Sequence, residues 1–138
     1  MAVKAVPEGW HSVTVRLFVH EAPKLADFLK HAFGATGTLR TDGPSEIRIG
    51  DSIVMVGEAG VREAMPTFLY LYLGDVDAAY RRALEAGAIA LEEPRDMHYG
   101  DRRATVRDPF GNTWQIATHK EDLSLDEIRK RAAAASRH

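Results

Sequence analysis

Residues 12–35 open on strict alternation: Val13, Val15, Leu17 and Val19 fall on one face of an extended segment, and Thr14, Arg16, Phe18 and His20 on the other. The period then changes. Leu25, Phe28, Leu29, Ala32 and Phe33 recur at helical spacing, Pro23 sits in a first turn that tolerates it, and Gly34 stands where a helix ends. About 53 positions later the switch recurs. Leu69, Leu71 and Leu73 alternate with Phe68, Tyr70 and Tyr72; then Asp75 or Asp77 caps a helix bearing Val76, Ala79, Tyr80, Ala83 and Leu84, which Gly87 closes. Both helices run into Gly-Ala, so the chain contains one unit written twice.

Short strand signals follow each helix. After the first they are 37–42, 45–51 and 52–58, with turns at Asp42-Gly43-Pro44 and Gly50-Asp51. After the second they are 88–94, 102–108 and 113–119, the last two joined by Asp108-Pro109-Phe110-Gly111-Asn112. In that turn proline presets one φ, glycine supplies a positive one, and Asp108 and Asn112 bond back to the backbone. The pattern therefore predicts two tandem βαβββ modules, 10–58 and 67–120, joined by a linker at 59–66. Ser124 and Glu127 at capping-box spacing add a short C-terminal helix over 124–135, too poor in large apolar residues to pack deeply. The fold class is α+β, with curved mixed sheets whose faces away from the helices enclose a cleft.

Composition narrows the function. With 138 residues the chain suits a single domain, 1–138, and 45% hydrophobic with 28% charged residues is ordinary for a globular protein. A net charge of −2 without a basic run argues against nucleic acid as a partner. The apolar run 68–73 is far too short for a membrane span, so no membrane partner is expected. There is no cysteine, which removes thiolate metal sites and nucleophiles and fits the cytoplasm.

The duplicated unit, "DVDAAYRRALEAGA", and above all "YGDRRATVRDPFGNTWQIATH" resemble the vicinal oxygen chelate superfamily. That superfamily includes glyoxalases, extradiol dioxygenases and bleomycin-resistance proteins, and the hairpin wording looks most like its PhnB-like branch. The likeness spans residues 10 to about 120. It implies the paired-module fold and a homodimer; it does not by itself imply one chemistry.

Metalloenzymes of that superfamily place a His or Gln on the first strand and a Glu on the last strand of each half. Carried over one position at a time, these sites fall on Thr14 and Met55 in the first half and on Phe68 and Gln115 in the second. Hydroxyl, thioether, phenyl and amide are a poor set for a hard divalent ion. The resemblance thus implies neither a metal nor another cofactor, and no catalytic residue. A substitute cluster of His98 and His119 with Glu58 or Asp101 is conceivable, but nothing in the spacing forces it and ordinary surface or edge positions account for these histidines better; His31 and His138 read as solvated.

The expected ligand-facing set is Thr14, Arg16, Phe18, Met55, Phe68, Tyr70, Tyr72, Met97, His98, Tyr99 and Gln115, with Trp10 near one end. Aromatic and methionine side chains with a few hydrogen-bonding groups suit a small organic, aromatic ligand. The competing reading of Tyr70 and Tyr72 is plain sheet packing, and of Arg16 a salt bridge to a rim carboxylate. Asp101, Arg102, Arg103 and Arg107 read as solvated or locally paired charges. Two functions lead: a metal-free protein sequestering an aromatic natural product, as antibiotic-resistance relatives do, or a metal-dependent lyase or dioxygenase with displaced ligands. A metal-free enzyme using His98 or Tyr99 as acid or base is a weaker third, since no nucleophile–base–orienter arrangement supports it.

Overall fold

The computed structural model describes residues 3–60 and 62–136, so Val61 of the linker and His138 lie outside the described residues. The chain divides into two compact units, 1–67 and 68–138.

In the first unit the alternating segment forms β1 (Val15–Val19), which starts later than the pattern suggested. Its parallel ladder with β4 begins at Val15 opposite Val54; Val13 and Thr14 lie ahead of that ladder, and Val13 is 83% exposed. Helix α1 (Ala22–Phe33) has Pro23 in its first turn and a left-handed Gly34 (φ 69°) as its C-cap. Its N-terminus is capped from a distance. Glu21 is left-handed (φ 63°), and the Glu58 carboxylate accepts the backbone N–H of Glu21 at 3.0 Å and of Ala22 at 2.9 Å.

Strands β2 (Thr36–Thr38), β3 (Ser45–Ile49) and β4 (Ser52–Glu58) complete a sheet ordered β1-β4-β3-β2. β2 is shorter than the expected 37–42. The segment after it is drawn into a loop, where the Arg40 N–H donates to Ser45 Oγ at 2.9 Å and the Arg40 guanidinium pairs with Asp42. Leu17, Val19, Ile47, Val54 and Val56 are buried on the helix side with Leu25, Phe28 and Leu29.

The second unit repeats the plan: β5 (Phe68–Tyr72), α2 (Val76–Glu85), β6 (Ile89–Asp96), β7 (Asp101–Arg107) and β8 (Thr113–His119), ordered β5-β8-β7-β6. Asp75, not Asp77, caps α2, accepting from the Ala78 N–H at 3.1 Å; Asp77 pairs with Arg102 instead. β6 runs past its expected end to Asp96, and its register with β7 slips on either side of Glu92. Pro94, without an N–H, falls within the second slip on this edge strand. The buried core joins Val76, Ala79 and Ala83 to Ala104, Val106, Trp114 and Ile116.

The β7–β8 turn is built as its residue types dictate. Asp108 accepts the N–H of Phe110 (2.8 Å) and of Asn112 (3.0 Å), the Asn112 amide (3.0 Å) and the Trp114 indole N–H (2.9 Å). Helix α3 (Leu125–Ala135) starts at the Ser124 cap, which accepts the Glu127 N–H at 3.1 Å, and none of its residues is buried. No helix among the described residues is long and apolar enough to cross a membrane.

Candidate functional site

Each sheet has one face covered by its helix and one turned away. In the second unit the strand registers set out the open face in rows: Phe68, Thr113 and Arg107; then Tyr70, Gln115 and Thr105; then Tyr72, Ala117 and Arg103; finally His119 and Asp101. Glu92 of β6 extends the second row.

Asp101 is the hub of this face, and at 3% exposure it is buried. Its Oδ2 accepts the hydroxyl of Tyr70 at 2.6 Å and of Tyr72 at 2.9 Å, while its Oδ1 lies 2.8 Å from His119 Nδ1. Ala117, beside Tyr72 in its row, presents only a methyl group on this face. The network runs on: Tyr70 and Tyr99 hydroxyls are 3.2 Å apart, Arg103 donates to Tyr99 at 3.0 Å and pairs with Glu92 at 3.2 Å, and Thr105 donates to Glu92 at 2.5 Å. On the far side His119 Nε2 meets Asp122 at 2.8 Å.

The electrostatics follow from these contacts. Burial pushes the Asp101 carboxyl up, but bonds from Tyr70, His119 and Tyr72 outweigh it and hold the group below the usual aspartate range. Burial, with the bonds to Asp101 and Tyr99, drives the Tyr70 hydroxyl well above an ordinary tyrosine; Tyr72 is raised by its bond to Asp101, then by burial. His119 is raised by Asp101 and then by Asp122. Glu92 is held low by the Thr105 hydroxyl, against burial, with help from Arg103 and Arg95. The face therefore carries an ionised carboxylate and neutral phenols at neutral pH.

The sequence placed Tyr70, Tyr72, Tyr99 and Gln115 in a site, and the structure gathers them on or beside this face. Phe68, Tyr70 and Tyr72 are 66, 41 and 58% exposed, so the aromatic stripe is not consumed by packing within its unit. His98 stands edge-on to Tyr99, ring centroids 5.2 Å apart, and takes no place in the Asp101 network. Met97 lines a hollow of about 420 Å³ with Gly100, Lys120 and Arg131.

In the first unit Arg16, Phe18 and Met55 share the open face, Arg16 and Met55 in register and the Arg16 guanidinium 4.9 Å from the Phe18 ring centroid. Trp10 lines a separate hollow of about 270 Å³ on that sheet with Glu46, Arg48 and Ile53.

One expectation needs correction. Asp101 reads from the sequence as a solvated or locally paired charge; it is paired, with His119, but it is also buried and organises the face. The signal was present: counting outward from the turn pairs Arg107 with Thr113 and so Asp101 with His119. The tyrosine contacts, which require β5 to lie beside β8, had no such signal.

The metal positions implied by the resemblance give a clear donor set. Thr14 precedes β1, Met55 lies mid-β4, Phe68 opens β5 and Gln115 lies mid-β8. These side chains supply neither carboxylate nor imidazole and do not fit a divalent ion chelating two vicinal oxygens. Among the described residues no three His, Asp or Glu side chains are grouped to hold a metal. Glu58, proposed as a substitute ligand, is occupied as the α1 cap.

Two βαβββ units, each a four-stranded mixed sheet with one helix, define an α+β protein of the glyoxalase and bleomycin-resistance fold. Residues 11–116 match the family model described as Glyoxalase/Bleomycin resistance protein/Dioxygenase superfamily, and the chain belongs to that family. It is similar to an uncharacterized protein of Mycobacterium bovis, 31% identical over 147 residues that cover 94% of each chain. Among solved structures, TioX from Micromonospora sp. ML1 aligns with a TM-score of 0.68 at 24% identity, over 79% of this chain and 98% of that one. A glyoxalase/bleomycin resistance protein/dioxygenase family enzyme from Burkholderia phytofirmans aligns with a TM-score of 0.64 at 18% identity, over 77% and 96%. Both likenesses concern the fold.

Proposed function

We propose that this protein is a metal-free small-molecule-binding member of its family, which holds an aromatic or natural-product ligand and so sequesters it, as a resistance protein does. The observation that carries this reading is the exposed row Phe68, Tyr70 and Tyr72 beside Gln115, on a face whose polar groups are already ordered around Asp101. Aromatic rings supply stacking area at small entropic cost, and a preset polar network spares the ligand the cost of ordering it. The donor set at Thr14, Met55, Phe68 and Gln115 supports binding over metal chemistry. The likeness of the 99–119 hairpin to the PhnB-like branch supports a reading of the protein as a member of that branch and as a homodimer, and its lack of cysteine suits the cytoplasm.

Two measurements test this. Elemental analysis of protein purified without chelators or a metal-affinity tag is expected to find no stoichiometric divalent ion; a stoichiometric ion with lyase or ring-cleaving turnover overturns the proposal. A panel of aromatic natural products is expected to contain compounds that raise the melting temperature, since a ligand at about 100-fold its Kd adds about 2.7 kcal/mol. Light scattering at micromolar concentration tests the dimer.

A further inference from the structure

We infer that Asp101 fixes the hydrogen-bonding polarity of the open face, so that its ligand must donate an N–H or O–H to Tyr72 and cannot present a carboxylate or ether oxygen there. The inference rests on the reading of this face as a binding surface and specifies what that surface selects.

It follows from counting protons. Asp101 is an ionised carboxylate and only accepts. Each hydroxyl within reach of its Oδ2, Tyr70 at 2.6 Å and Tyr72 at 2.9 Å, therefore spends its single proton on it. Tyr70 thus has no proton left for Tyr99, 3.2 Å away, so Tyr99 donates to Tyr70 and itself accepts from Arg103 at 3.0 Å. The order is fixed throughout: Arg103 to Tyr99, Tyr99 to Tyr70, Tyr70 to Asp101.

On the exposed side this leaves lone pairs without protons. Tyr72 is 58% exposed, and the hydroxyl beside it, that of Tyr70, directs its one proton to Asp101 at 2.6 Å. Among the neighbouring donors, Thr105 spends its hydroxyl proton on Glu92, and Arg103, whose side chain is only 16% exposed, directs N–H groups to Glu92 and Tyr99. An acceptor oxygen placed at Tyr72 would face lone pair against lone pair and lose its water without replacement. Gln115, one row away, offers both an amide donor and an acceptor and does not discriminate. Arg107 stands two rows from Tyr72, beside Thr113, and can attract an anion only to that end of the face.

The test uses three naphthalene probes of one shape: 2-naphthol, which donates, 2-methoxynaphthalene, which only accepts, and 2-naphthoate, an anionic acceptor. Affinities are read from the shifts of the Phe68, Tyr70 and Tyr72 ring resonances. 2-Naphthol is expected to bind about fivefold tighter than either other probe, the ratio one neutral hydrogen bond supports. Tyr72→Phe is expected to bring 2-naphthol down to 2-methoxynaphthalene, which controls for the size of the methyl group. Asp101→Asn, whose amide donates, is expected to raise 2-naphthoate relative to 2-naphthol and to lower the pH at which the tyrosines ionise.

Two failures are distinct. If the acceptor probes shift the same rings with equal or greater affinity, or Tyr72→Phe leaves the preference intact, the inference falls while the binding surface stands. If none of the three probes shifts these rings, the binding surface falls and the inference with it.

Discussion

His119 Nδ1 lies 2.8 Å from Asp101 Oδ1 while its Nε2 lies 2.8 Å from Asp122 Oδ1, so one imidazole is held between two carboxylates. Both contacts are satisfied together only when both ring nitrogens carry protons. Asp101 is buried and Asp122 is fully exposed, so loss of the second proton releases the Asp122 side first.

A pH dependence follows. The folded His119 pKa is raised above its ordinary 6.5, so its stabilisation is fully present below pH 6.5 and is lost as pH rises through the folded value. The melting temperature of the wild type is expected to fall over that window relative to His119→Gln, which lacks the titrating group. Parallel pH profiles for the two proteins would contradict this.

Asp108 is the acceptor for four donors in a turn where it is 2% exposed. Asp108→Ala leaves the Trp114 indole N–H and the turn amides without it, and is expected to cost about 3 kcal/mol in urea unfolding. Asp108→Asn, which keeps one acceptor oxygen, is expected to cost less.

Gly100 has φ +100°, and a Cβ there would stand 2.4 Å from the Glu121 carbonyl oxygen. Gly100→Ala combines a strained conformation with a backbone clash and is expected to destabilise by about 2–3 kcal/mol. Gly43 and Gly60 have open space around the same position and no such φ, so alanine there should leave the urea midpoint nearly unchanged.

Glu58 caps α1 from β4, and its carboxyl is held low by the Ala22 and Glu21 amides. Its contribution is present above pH 4.5 and is lost as pH falls through the depressed folded value. Glu58→Gln is therefore expected to lower the melting temperature at pH 7 and to match the wild type in strong acid, as followed by circular dichroism.

The sequence by itself determined the two βαβββ units, the Asp108 turn and the Ser124 cap. Each rests on contacts within a few residues: alternation for strands, helical spacing for α1 and α2, and side chains that bond their own backbone. The same locality explains the errors at element ends. β1 begins where β4 offers a partner and not where its alternation begins, and α1 is capped by Glu58, 36 residues from Ala22. The β7–β8 register was within reach because the turn length sets it. Only the tertiary structure decided that Asp101 is the hub. Its partners Tyr70 and Tyr72 come from β5, 29 to 31 residues away, and β8 inserts between β5 and β7. Periodicity records which face a residue takes; it holds no record of which strand lies alongside, and that adjacency is what turned a charged hairpin residue into a buried acceptor for two phenols and an imidazole.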